Sequence, residues 1–112
     1  MESIVYKATE CFNNQDIDGM AKYWHDDITI YDLESNEVVC KGVEDVYEMD
    51  KPLCLDPGRR IVIKNMVVRG NFEVAYKRFS HKEDINIVIC EIENGLIKNV
   101  WGANFNAESF QK

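Results

Sequence analysis

Val5, Ala8, Cys11 and Phe12 recur at spacings of three, three and one with no Gly or Pro between them, which predicts a helix over residues 2–14 with one buried face. Asn13, Asn14 and Gln15 break it. Asp16 is a candidate N-cap for a second short helix reaching Trp24, with Ile17, Met20, Ala21 and Trp24 on one stripe and Lys22 and His25 in its last turn. From Asp27 the period becomes two: Ile28, Ile30 and Asp32 share one face of a strand, while Thr29, Tyr31 and Leu33 take the other. Glu34 to Glu37 reads as a turn, Val38 to Lys41 as a short return strand, and Gly42 to about Leu55 as a third helix closed by Asp56, Pro57 and Gly58. Four strands then follow as a meander, over about 60–69, 72–80, 85–93 and 96–105. The turns fall at Gly70-Asn71, at His81 to Asp84 and at Asn94-Gly95. Asn-Gly between two alternating apolar runs is the strongest hairpin signal in the chain. Three helices and a long antiparallel (mixed) sheet make an α+β domain, with the helices on one face of a curved sheet.

Length allows one core: 112 residues are expected to form a single domain over 1–112. Hydrophobic and charged fractions of 46% and 29% exclude a disordered or low-complexity chain, and no apolar run approaches the ~20 residues of a membrane span. The first residues lack the charged and apolar regions of a secretory signal, so the expected compartment is the cytoplasm. There Cys11, Cys40, Cys54 and Cys90, with no Cys-x-x-Cys pair, read as small buried hydrophobes, and a metal site is not expected. His25, Asp26 and Asp27 diverge as neighbours in a turn and cannot converge on one ion; His81 reads as a solvated loop residue. The net charge of -7 argues against a nucleic-acid surface, although residues 59–82 carry seven basic groups and one acidic.

The run from Cys11 to Leu33, CFNNQDIDGMAKYWHDDITIYDL, followed by a short return strand, Gly42, a helix and the meander, resembles the nuclear-transport-factor-2-like superfamily. It is closest to the ketosteroid isomerase and SnoaL-like polyketide cyclase branch. The resemblance implies a cystatin-like cone, in which a bent sheet wraps the long first helix around a ligand pocket. Its inward positions would be Ile28, Ile30 and Asp32; Val74, Tyr76 and Arg78; Val88, Cys90 and Ile92; and Val100, Gly102 and Asn104. Alternation of Glu91 and Glu93 with Val88, Cys90 and Ile92 supports one wet and one dry face on that strand.

Asp32 stands where the isomerase has its general base, and period two puts it in an apolar row, where desolvation would favour proton transfer beside a carbonyl. The other reading is that Asp32 ends its strand and caps the turn. The isomerase's enolate-stabilising Tyr and protonated Asp correspond to Ala8 and Val88, which cannot donate, so a different stabiliser is needed. Tyr76, Arg78 and Asn104 are the candidates; Arg78 either pairs with Asp32 or belongs to the basic surface. Gly102 either leaves room beside Asn104 or marks a bulge. Ile30, Val88, Cys90 and Val100 would complete the ligand-binding wall. The expected function is binding of a small apolar carbonyl compound, with isomerase- or cyclase-like proton transfer by Asp32 and no cofactor. The alternative is a non-catalytic ligand-binding or homodimeric assembly module. Phe79, Trp101 and Phe105 would share the outer sheet face and form a homodimer contact, as the family often does. Neither nucleic acid nor membrane is an expected partner.

Overall fold

The computed structural model describes residues 3–79 and 85–105, with the side chain of Phe105 outside that set. In chain order the elements are α1 (Ile4–Asn13), α2 (Ile17–Ala21), β1 (Trp24–Asp32), β2 (Val38–Lys41) and α3 (Val43–Leu55). The meander follows as β3 (Ile61–Arg69), β4 (Phe72–Phe79), β5 (Ile85–Glu93) and β6 (Leu96–Phe105). One open, curved six-stranded sheet runs β2-β1-β6-β5-β4-β3. β1 and β6 are parallel and every other pair is antiparallel.

Local chemistry sets most boundaries. Asp16 caps α2 by accepting from the Gly19 N–H at 2.9 Å. At the β5–β6 hairpin Asn94 and Gly95 both have positive φ, 52° and 77°, the conformation a two-residue turn of this hand demands. Strand pairing overrides the helical stripe at Trp24: α2 stops at Ala21, and β1 begins three residues earlier than period two suggests because Trp24 pairs with Ile97. His25 therefore belongs to a strand.

The N-terminus of α1 is built by a residue about seventy positions further along the chain. Glu73 of β4, only 6% exposed, accepts from the Ser3 hydroxyl at 2.6 Å and from the Val5 and Ile4 N–H groups at 2.9 and 3.1 Å. Ser3 in turn accepts from the Tyr6 N–H. A carboxylate at the positive end of a helix satisfies donors that have no intrahelical partner. It also fixes which face of β4 looks inward. Ala75 follows at 1% exposure, in the core with Val5, Ala8, Phe12, Ile28, Val46 and Cys54.

Candidate functional site

Between the helices and the concave side of the sheet lies a cavity of about 370 Å³. Its apolar wall comes from Val5, Ala8, Phe12, Met20, Trp24, Ile30, Val88, Cys90, Ile97 and Val100. Its polar groups are Thr9, Asp50, Arg59, Lys77, Asn86 and Asn104. Apart from Thr9, whose hydroxyl donates to the Val5 carbonyl, they come from the C-terminal half of α3, the segment before β3, the end of β4, the start of β5 and the end of β6. Antiparallel topology puts those strand ends at one end of the sheet, so a mostly apolar chamber carries a charged rim. This is the usual composition of a small-molecule site.

Asp50 is the distinctive member. Val43, Val46, Tyr47 and Cys54 form the buried or half-buried stripe of α3, and Asp50 occupies the same stripe, three residues after Tyr47 and four before Cys54. Burial pushes its carboxyl up to about 6, with Lys77 pulling the other way. Lys77 enters from β4, and burial lowers its ammonium pKa, while Cys90 and Asp50 oppose that change. Among the described residues neither the Asp50 carboxyl nor the Lys77 ammonium makes a hydrogen bond or ion pair. Asn86 donates to the Asn104 side-chain oxygen at 2.7 Å, so the Asn104 amide N–H groups are not used in that bond. Arg59 lies over the Phe79 ring at 5.8 Å, and its Nε is buried with no hydrogen-bond partner among the described residues.

Of the residues read from sequence as pocket members, Ile30, Val88, Cys90, Val100 and Asn104 line this cavity. Asp32 lies outside the lining: it is exposed, and its Oδ1 accepts from the Glu34 and Ser35 N–H groups at 2.8 and 3.2 Å. β1 ends at this residue, and the carboxylate folds over its own turn as an Asx cap. Tyr76 and Arg78 also lie outside it, because the Glu73 anchor turns Glu73, Ala75, Lys77 and Phe79 inward and Val74, Tyr76 and Arg78 outward. Phe79 is thereby removed from the outer face and placed in the cavity wall. Gly102 is not part of the lining, and a Cβ there would meet only the Ile87 carbonyl at 3.9 Å. The expected Asp32–Arg78 pairing is absent from the ion pairs among the described residues.

Asp50, Lys77, Arg59, Asn86 and Phe79 were missed. For Asp50 the signal was present as a charge on an apolar helical stripe. For Lys77 it was hidden, since Val74 and Tyr76 make the other face of β4 look more apolar.

His25 accepts from the Asp27 N–H through Nδ1 at 3.0 Å and meets Glu93 through Nε2 at 2.9 Å, a structural use of both nitrogens. No cluster suited to a metal occurs among the described residues, and His81 lies outside them. All four cysteines are free; Cys54 and Cys90 are buried, and Cys11 and Cys40 are half-buried. Burial raises every one of these thiols, Cys90 to about 12, so none has the depressed pKa of a nucleophile. No helix among the described residues is long and apolar enough to cross a membrane.

The sequence profile of the SnoaL-like domain family matches residues 5–100. The chain belongs to that family. Solved structures share the fold at low identity. A protein described as a candidate ketosteroid isomerase from Kribbella flavida superposes with TM-score 0.79 at 15% identity, covering 93% of this chain and 76% of that one. A nuclear-transport-factor-2-like protein of unknown function from Mesorhizobium loti gives 0.77 at 13%, covering 92% and 88%. A SnoaL-like protein of unknown function from Burkholderia thailandensis gives 0.77 at 10%, covering 91% and 92%. No curated protein matches the sequence. The SnoaL-like fold serves isomerases, cyclases and ligand-binding proteins, so the cavity's own chemistry has to carry any functional reading.

Proposed function

We propose that this SnoaL-like protein binds a small, largely apolar carbonyl compound in the cone cavity and moves a proton on it, with Asp50 as the acid–base group. One observation carries the reading: a carboxyl raised to about 6 sits in an apolar chamber, poised to exchange a proton near neutral pH. Lys77 and the Asn104 amide supply donors for a developing enolate, a role that Ala8 and Val88, both in the wall, cannot fill.

The test is deuterium incorporation next to the carbonyl of a panel of apolar cyclic ketones, followed by proton NMR in heavy water. The wild type and Asp32→Asn are expected to exchange and Asp50→Asn to lose exchange by about a hundredfold or more. Exchange that survives in Asp50→Asn contradicts the assignment. The second reading is a binding module without chemistry, favoured by the absence of donors at Ala8 and Val88. It predicts ligand retention with no exchange in any variant.

A homodimer through the outer sheet face belongs to the same proposal. The helices cover the concave side, and Val67, Val74, Ile89, Trp101 and Tyr31 form one cross-strand row on the other side, beside a second row of Tyr76, Ile87 and Ala103. Within the first, Tyr31 and Trp101 stack at 5.2 Å and Trp101 donates to Asn36. An apolar face of this breadth fits a second copy of the chain. Four free thiols suit a reducing compartment, and we place the protein in the cytoplasm on that ground.

A further inference from the structure

We infer that the cavity's ligand is an apolar organic acid, whose carboxylate is received by Arg59 and Lys77. This rests on the cavity being a ligand site and adds the charge of what it takes. Arg59 lines the cavity as a half-buried side chain, and its Nε–H is buried with no protein acceptor among the described residues, a donor that is costly until an oxygen meets it. Lys77 lies on the same side of the chamber. It stands two residues before Phe79 on β4, and Arg59 stands two before Ile61, the residue that pairs with Phe79. Arg59 is laid over the Phe79 ring, and Lys77 stands on the inward face of the same strand as Phe79.

Against them stands one carboxyl, Asp50, so with Arg59 and Lys77 both protonated the rim is net positive whether or not Asp50 is ionised. That local sign is opposite to the chain's overall charge of -7. It gives part of the basic segment 59–82 an inward-facing use. The rest of the wall is apolar and suits a hydrocarbon or aromatic body, so the anionic end is recognised at the rim and the body is desolvated beneath it.

The experiment is a calorimetric comparison of 4-phenylbutyrate with its neutral counterpart 4-phenyl-1-butanol at pH 7.5, on the intact chain. Wild-type protein is expected to bind the acid at least about tenfold more tightly than the alcohol. Arg59→Met and Lys77→Met are each expected to shrink that preference toward equality, with cooperative urea unfolding of each variant showing that it is folded. Equal affinity for acid and alcohol in the wild type overturns the inference and leaves the apolar cavity reading standing. Binding of neither compound overturns both.

Discussion

Replacing Asp50 with Asn tests whether this carboxyl is buried in the cavity without a compensating partner. A rise from 3.8 to about 6 makes its ionisation in the fold costlier than in the unfolded chain by about 3 kcal/mol. The residue keeps some access to solvent, which screens part of this, so the working expectation is about 1–3 kcal/mol. The sign follows from proton counting. Below about pH 4 both states hold the proton, and above about pH 6 neither does; between these limits the folded state holds a proton that the unfolded state has released. Stability from this group therefore falls as pH rises across that window. Asn cannot ionise and escapes the loss. Urea unfolding of wild type and Asp50→Asn at pH 4 and pH 8 should give near-equal stabilities at pH 4 and a variant more stable by about 1–3 kcal/mol at pH 8. Lys77→Met removes the one charge that opposes the shift, and should move the window upward. A variant less stable than wild type at pH 8 would mean that Asp50 is held in a strong ion pair, and would refute the reasoning.

Glu73→Ala should cost about 3 kcal/mol, because Ser3, Ile4 and Val5 lose their acceptor together; an unfolding midpoint within error of wild type would remove Glu73 as the anchor of α1. Asp32→Asn should change stability by less than about 1 kcal/mol, since an amide oxygen still accepts from Glu34 and Ser35, and hydrogen exchange of those two amides reports the cap directly. Tyr76→Glu on the outer face should shift a dimer to monomer in light scattering without altering ligand binding; an unchanged mass would move the contact elsewhere. Native-state labelling with a thiol reagent at pH 7 should be slow at Cys54 and Cys90, whose thiols are buried, and rapid reaction at either would contradict their placement.

The element order was legible because each change of period coincides with a local punctuation mark: Asp16 before α2, Gly42 before α3, Gly70 and Asn94-Gly95 between strands. The cone was implied by the family resemblance, and alternation in β5, where the glutamates separate wet from dry, supported one apolar wall of it. β4 could not be read that way. Its alternation is real, but both faces mix apolar and charged residues. What decides the face is Glu73 binding the N-terminus of α1, a contact about seventy residues away in sequence that no local pattern records. One reversed strand exchanged Tyr76 and Arg78 for Lys77 and Phe79. Asp32 failed for a different reason: period two holds only while the strand continues, and at its last residue the carboxylate serves the turn. Asp50 was open to detection, because a carboxylate on the stripe of Val43, Val46, Tyr47 and Cys54 is the same kind of anomaly that drew notice at Asp32.

Chemical-shift mapping tests most directly where the ligand sits. A nitrogen–proton correlation spectrum of the labelled protein, titrated with 4-phenylbutyrate, reads the cavity and the outer face in one experiment, since Trp24 lines the first and Trp101 lies on the second. The expected result is saturable movement of the Trp24 indole and the Asn86 and Asn104 side-chain amides, with the Trp101 indole and the amides of Glu34 and Ser35 unmoved. Movement centred on the Asp32 turn or on Trp101, with Trp24 and Asn104 still, would contradict a ligand site built around Asp50 and Lys77.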